Sequence, residues 1–525
     1  MWRGLSSCFR FRLISSNPIS DRLLRFPLIL ILGGIASVAM FLPALHALVL
    51  EDHSVSRSFA YSGILGLAAV GLIGLAMSGN VSRHEASDLS NLLSLCLTFI
   101  VLPVFLAVPF YEGVRNTSFL NAYFEMVSSL TTTGTTLFNT PGRLGDSLHL
   151  WRGMVGWFGG LLMWVAASAV LAPLNLGGFE VTATAEPGQG ETRLDRFERA
   201  GAGKRMGQAT YLLGPIYIGL TAALWLFLVL CGDRPLVAVV HAMSTMATSG
   251  ISPVNGVQNA GSGLGGEIVI FFFMMFALSR LTFSSDTITT ARPGLHHDPE
   301  FRLGMLLILG VPLLLFSRHW LGALEVDQFE EIPTAIGALW GGTFSVLSFL
   351  STTGFESAYW ETARDWSGLG TPGLILLGLS LVGGGVATTA GGVKLLRVYA
   401  LYLNGQREME RLVHPSSVGR AGARSRRMRR QGAFVAWIFF MLFALSLATI
   451  TVILCGLGLG FEPSLILSIA TLSTTGPLTQ VAGEAPIILS QIGPAAKLVL
   501  CAAMVLGRLE TLAIIALINP SLWRD

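Results

Sequence analysis

What most constrains this chain is a succession of apolar stretches, each about 20 residues long and nearly free of charge, recurring from residue 27 almost to the C-terminus. Only 12% of the 525 residues are charged, about half the roughly 25% of a soluble domain. A chain with a mean hydropathy of +0.64 therefore folds in a bilayer, as an all-α polytopic membrane protein. Windows of about 19 residues place ten spans near 27–50, 60–79, 91–110, 150–175, 209–231, 264–285, 303–325, 372–403, 432–456 and 493–517. The first is too long for a cleaved leader, although Arg3, Arg10, Arg12, Arg22 and Arg25 precede it. Shorter semi-polar segments near 117–140, 236–256, 334–358 and 463–482 are too short to cross and are expected to re-enter.

Charge and cysteine content exclude other classes. A net charge of +3 gives no basic surface for nucleic acid. Most of the 34 Lys and Arg fall on one side if both termini are cytoplasmic, which sets that orientation. The densest basic loop carries Arg407, Arg411, Arg420, Arg424, Arg426, Arg427, Arg429 and Arg430; it is topogenic, and it also suits docking of a cytoplasmic subunit. Cys8, Cys96, Cys231, Cys455 and Cys501 lie far apart without ligand spacing and read as buried thiols. No paired carboxylate, His-Glu-x-x-His or Ser/Lys arrangement sits in a span, so the chain is not expected to be an enzyme.

One string occurs four times: S-S-L-T-T-T-G-T-T from Ser128, S-T-M-A-T-S-G-I-S from Ser244, S-F-L-S-T-T-G-F-E from Ser348 and T-L-S-T-T-G-P-L-T from Thr471. The cores are Thr132-Thr133-Gly134, Thr248-Ser249-Gly250, Thr352-Thr353-Gly354 and Thr474-Thr475-Gly476. One such core is an ordinary turn, but four, each between successive spans, define a repeating unit. The unit reads as span, half-helix, Thr-rich strand, span. Irregular backbone at membrane depth must line water or be buried in protein. An extended Thr-Gly strand turns carbonyl oxygens inward to replace an ion's hydration shell, and the glycine supplies a backbone angle closed to other residues. The half-helix C-termini favour a cation below. No carboxylate lies within the cores, which disfavours a divalent-cation pore.

Two further features are expensive in a bilayer. Gly383, Gly384, Gly385, Gly391 and Gly392 cluster in an apolar stretch, where each glycine costs about 1 kcal/mol in a helix. A broken helix with an intramembrane loop over 383–392 is expected, the alternative being close helix packing through small residues. Lys394 follows it, and Arg508 lies inside the last span, a functional candidate by default; a structural salt bridge to Glu510 is the competing reading. Glu125 is expected to satisfy a strand amide, and His241 to cap or pack its half-helix.

These four strands, with W-R-G-M-V-G-W-F-G-G at 151–160, D-P-E-F-R at 298–302, G-G-G-V-A-T-T-A-G-G-V-K-L-L-R-V at 383–398 and G-R-L-E at 507–510, resemble the TrkH/KtrB family of potassium transporters. The two extra N-terminal spans resemble its TrkH type. The resemblance implies four span/pore-loop/span repeats in a pseudo-fourfold arrangement, with potassium as the transported ion and no organic cofactor. It implies a homodimer in the bacterial inner membrane, with a cytoplasmic nucleotide-binding ring of TrkA type. It also places the 383–392 loop below the filter and turns Arg508 toward the conduction path. The corresponding division is an N-terminus over 1–26, a two-span unit over 27–90, repeat 1 over 91–178, a linker over 179–206, repeat 2 over 207–290, repeat 3 over 291–403, a basic linker over 404–430 and repeat 4 over 431–525. The alternative function is proton- or sodium-coupled potassium symport by alternating access.

Overall fold

The computed structural model of the protein describes residues 26–78, 88–138, 140–172, 178, 202–279, 298–326, 332–368, 373–414 and 430–510. Among the described residues eight helices are long and apolar enough to cross a membrane: Leu28–Val49, His53–Met77, Asn91–Val114, Asp146–Leu171, Gly203–Leu230, Pro299–Ser317, Pro333–Leu350 and Gly432–Gly456. The chain is a multi-pass membrane protein. Burial sorts these helices. Asp146–Leu171 is 78% buried against 17% for His53–Met77, so the former is central and the latter peripheral.

Helices α1 (Leu28–Ala39), α2 (Phe41–Val49) and α3 (His53–Ser78) form the N-terminal pair of spans, α1 and α2 running on through Met40. Four units follow. The first is α4 (Asp88–Val114), α5 (Phe119–Leu130) and α6 (Asp146–Ala166). The second is α7 (Ala202–Leu230), α8 (Pro235–Ala247) and α9 (Gly263–Met274). The third has α10 (Pro299–Val326), α11 (Ile332–Leu350), α12 (Trp360–Ser367), α13 (Gly373–Val382) and α14 (Leu395–Val413). The fourth is α15 (Arg430–Gly456), α16 (Phe461–Leu472), α17 (Leu478–Val481) and α18 (Pro494–Leu509).

Hydropathy misjudged several element lengths. Within 372–403 the break that the glycine cluster predicts is present between α13 and α14, where Gly383 and Gly392 adopt φ of 72 and 77° that helix cannot hold. The span expected at 264–285 is one short apolar helix over Gly263–Leu278, and α18 has 16 residues. The segment expected to re-enter at 334–358 contains α11, whose 19 residues are long enough to cross yet stop at the third Thr-Gly strand. Its apolar run is interrupted by no charge, so hydropathy alone cannot see the stop. Cys501 is buried as expected, whereas Cys96, Cys231 and Cys455 are only half-buried.

The units close on one another. The second helix of each packs on the half-helix of the next: α6 on α8, α9 on α11, α13 on α16 and α18 on α5. Glycines let the backbones approach within their own units as well. A Cβ on Gly159 of α6 would lie 2.0 Å from the Leu130 carbonyl oxygen, and one on Gly507 of α18 would lie 2.3 Å from that of Leu472. Both glycines belong to the sequence motifs at 151–160 and 507–510, and both hold a spanning helix against the C-terminal end of a half-helix.

Candidate functional site

The four strands start where the half-helices α5, α8, α11 and α16 end. In each, the residue two before the glycine is left-handed: Thr132, Thr248, Thr352 and Thr474 have φ of 55, 49, 59 and 54°. A β-branched residue there costs about 1–3 kcal/mol, and identical strain at four sites marks a shared constraint. The fully extended strand expected from sequence is thus corrected. Each chain leaves its half-helix through a left-handed threonine before it straightens. Amides fold back onto the helix end, Thr133 onto Ser128 at 2.8 Å, Ser249 onto Ser244 at 2.9 Å, Thr353 onto Ser348 at 2.9 Å and Thr475 onto Ala470 at 2.8 Å. Behind three strands a hydroxyl pair repeats: Thr131 with Thr133 at 2.8 Å, Ser351 with Thr353 at 2.9 Å and Ser473 with Thr475 at 3.2 Å. The second unit has Ala247 at that place and uses Ser244 with Ser249 at 3.1 Å instead.

Neighbouring strands touch in cyclic order. A Cβ on Gly134 would lie 1.8 Å from the Ser249 oxygen, one on Gly250 2.4 Å from the Thr353 oxygen, and one on Gly354 2.9 Å from Pro477. The Gly476 amide donates to the Thr133 carbonyl at 2.6 Å, closing the circle. Gly134, Gly250 and Gly354 have positive φ as expected, but Gly476 does not. Its glycine is required by space: a Cβ would lie 2.3 Å from the Thr135 amide nitrogen.

Side chains behind the strands hold the residues that follow them. Glu125 of α5, wholly buried, accepts from the Leu137 amide at 2.5 Å and from Thr136 Oγ1 at 2.8 Å, and pairs with Arg152 of α6 at 3.0 Å. His241 occupies the same place in α8, nine residues before the glycine; its Nε2 lies 2.8 Å from Ser252 Oγ and its ring packs edge-on against Phe355. Both act as braces, in line with the sequence reading. Sequence reasoning missed Glu267 of α9, which braces the third unit with three hydrogen bonds. The signal was present: a single carboxylate in an otherwise apolar helix.

Residues 383–394 lie directly beneath the ring. The Gly391 amide donates to Thr352 Oγ1 at 2.8 Å, and Thr248 Oγ1 donates to Thr389 Oγ1 at 3.2 Å. A Cβ on Gly391 would lie 2.2 Å from the Ser473 oxygen. Thr132 and Thr474 keep buried hydroxyls with no hydrogen-bond partner among the described residues. A cavity beside the loop is lined by Trp164, Tyr217, Thr245, Thr248, Thr388 and Thr389. The loop is fastened from below: the Val386 amide donates to Glu300 at 2.8 Å, and Lys394 Nζ donates to the Ala390 carbonyl. Arg508 is buried and donates through Nη1 to the Thr389 carbonyl at 2.8 Å, while its Nε and Nη2 have no hydrogen-bond partner among the described residues. Glu510 pairs instead with Arg397 at 2.6 Å. The alternative reading of Arg508 as a salt-bridge partner of Glu510 is therefore corrected.

Comparisons with known proteins agree with this architecture. Residues 268–523 match the family described as TrkH, cation transport protein. The Trk system potassium uptake protein TrkH of Vibrio parahaemolyticus is 28% identical over 507 residues, covering 94% of this chain and 98% of that protein. TrkI, a Trk system potassium uptake protein of Halomonas elongata, is 29% identical, covering 97% and 99%. The crystal structure of the potassium transporter TrkH from V. parahaemolyticus superposes with a TM-score of 0.78 at 26% identity, covering 96% of this chain and all of that one. Over nearly its whole length the chain is similar to TrkH-type potassium uptake proteins. In this chain the twelve strand residues named from sequence stand in one ring. Gly383, Gly384, Gly385, Gly391, Gly392 and Lys394 lie in the segment below it, and Arg508 reaches that segment. Of the basic run, Arg420, Arg424, Arg426, Arg427 and Arg429 lie outside the described residues.

Proposed function

We propose that this chain carries potassium ions into the cell across the bacterial inner membrane, through the ring formed by its four Thr-Gly strands. The observation that carries the reading is the ring itself: four backbone segments, each delivered by a half-helix, meet in cyclic order with hydroxyls behind three of them. Carbonyl oxygens there replace the hydration shell of a monovalent cation. The segment over 383–392 obstructs the path below, and Arg508, bonded to its Thr389 carbonyl, adds a positive charge that opposes passage. Similarity to the Trk system potassium uptake proteins supports potassium as the ion and a cytoplasmic regulatory partner. In this reading the partner is a nucleotide-binding ring that engages the basic 404–430 region of a homodimer, with both termini cytoplasmic. Its action is to draw the loop aside.

Expression in cells that lack potassium uptake tests this. Growth at low potassium and inward flux of rubidium as tracer are expected with the intact chain, and growth at low potassium is expected to weaken with the strand variant Gly134→Ser when sodium is in excess. Growth that depends on an imposed proton or sodium gradient would instead support coupled symport.

A further inference from the structure

We infer that Glu267 is a positioning residue that sets the ion preference of the ring without touching the ion. The inference rests on the reading of the ring as an ion filter. Glu267 is 1% exposed in α9 of the second unit, yet everything it binds belongs to the third. Oε1 accepts from the Ala358 amide at 2.6 Å, and Oε2 accepts from Ser357 Oγ at 2.7 Å and from Trp340 Nε1 at 2.8 Å. Ser357 Oγ in turn accepts from the Tyr359 amide at 3.1 Å. Three donors converge on two oxygens, the pattern of an ionised carboxylate.

Comparison of the units shows why the third strand depends on a neighbour. Nine residues before the glycine stand Glu125, His241, Ser345 and Leu467. The first two reach the residue two places beyond their own glycine, Thr136 and Ser252. Ser345 is wholly buried and its hydroxyl has no hydrogen-bond partner among the described residues. The half-helix α11 therefore supplies no brace from that place, and the packing of α9 on α11 brings in a substitute. The braced segment is also pressed from the other side, since a Cβ on Gly341 of α11 would lie 2.3 Å from the Tyr359 carbonyl oxygen. Two residues separate Ser357 from Gly354, and Gly354 abuts Pro477 of the fourth strand. Movement at Ser357 is thus passed to the ring.

Glu125 differs in having a cation, Arg152, beside it. Among the described residues no cation pairs with Glu267. Its negative charge is solvated by neutral donors alone, so its field is not cancelled locally and extends toward the ring.

The test is the ratio of potassium to sodium permeability, from reversal potentials of the purified full-length protein in bilayers. Glu267→Gln keeps the shape but turns one acceptor into a donor, which must face the Ala358 amide or the Trp340 indole. The ratio is expected to fall roughly three- to tenfold, the scale of one buried hydrogen bond, while the yield of folded protein holds. Trp340→Phe removes one donor, keeps the carboxylate, and is expected to shift the ratio the same way by less. A selective parent whose Glu267→Gln variant melts earlier but keeps the parent's ratio would overturn the inference, leaving Glu267 a structural residue. Should Glu267→Gln fail to fold, an unchanged ratio in Trp340→Phe overturns it equally. A parent that passes both ions alike removes the filter reading itself, and the inference with it.

Discussion

Arg508 shows how a single buried charge acquires a role. Sequence alone left two accounts of it, and the pairing of Glu510 with Arg397 removes the salt-bridge one. If a cation stands about 8 Å away in an effective dielectric near 20, the Arg508 guanidinium would contribute ~2 kcal/mol of repulsion, roughly a 30-fold barrier. Arg508→Ala is accordingly expected to raise flux per folded protein, with Arg508→Lys close to the parent. Isotope uptake normalised to folded protein measures it, and a slower Ala variant would count against a charge barrier. Gly134, at φ 73°, has the Ser249 oxygen 1.8 Å from where a Cβ would sit. Gly134→Ser must therefore displace the second strand as well as the first, and left-handed strain alone adds about 1–2 kcal/mol. Loss of potassium over sodium preference is expected in reversal potentials. Glu356, half-buried beyond the third strand, has its carboxyl pushed up to about 7 by burial and by Glu361, against the pull of Arg364. The folded state thus holds a proton that the unfolded chain releases near 4.5. Stability should fall as pH rises through that window and level off above it. Thermal unfolding of the parent against Glu356→Gln checks this: the variant should lack that part of the slope.

At the scale of elements, the loop and the half-helices were legible to different degrees. The broken helix could be read from five glycines in an apolar stretch, because glycine at that density is incompatible with continuous helix. The length of α11 could not, since what stops it is the left-handed Thr352 at its end, a constraint set by the ring and not by composition. Glu267 was overlooked because its partners lie 73 to 91 residues away in the next unit, and only the packing of α9 on α11 brings them together. The ends of the loop meet: a Cβ on Gly383 would lie 2.8 Å from the Gly392 Cα. Removal of residues 384–391 can therefore leave α13 and α14 in place. Such a deletion is expected to raise potassium flux several-fold without loss of selectivity, measured by tracer uptake and reversal potential together. A folded deletion that conducts no faster would make the loop a packing element.

For the whole molecule, the fold follows from one unit used four times, with each second helix seated on the next half-helix until the circle closes. The circle explains why chemically unlike residues serve one purpose: Glu125 with Arg152, His241 and Glu267 each hold the chain beyond a strand. The fourth unit carries Leu467 at the equivalent place, and it is tied instead by Gly476 to Thr133 and by Lys497 of α18 to Asn121 of α5 at 3.0 Å. Four-strand convergence was legible in the repeated Thr-Gly strings, but the neighbour-to-neighbour order was not, because no local pattern encodes it. In the proposed function this single circle is a passive potassium filter. The reversal potential of the purified chain in bilayers under opposed potassium, sodium and pH gradients tests it most directly. The current should reverse near the potassium equilibrium potential and ignore the other two gradients; reversal that follows protons or sodium would contradict a passive ring and require coupled transport.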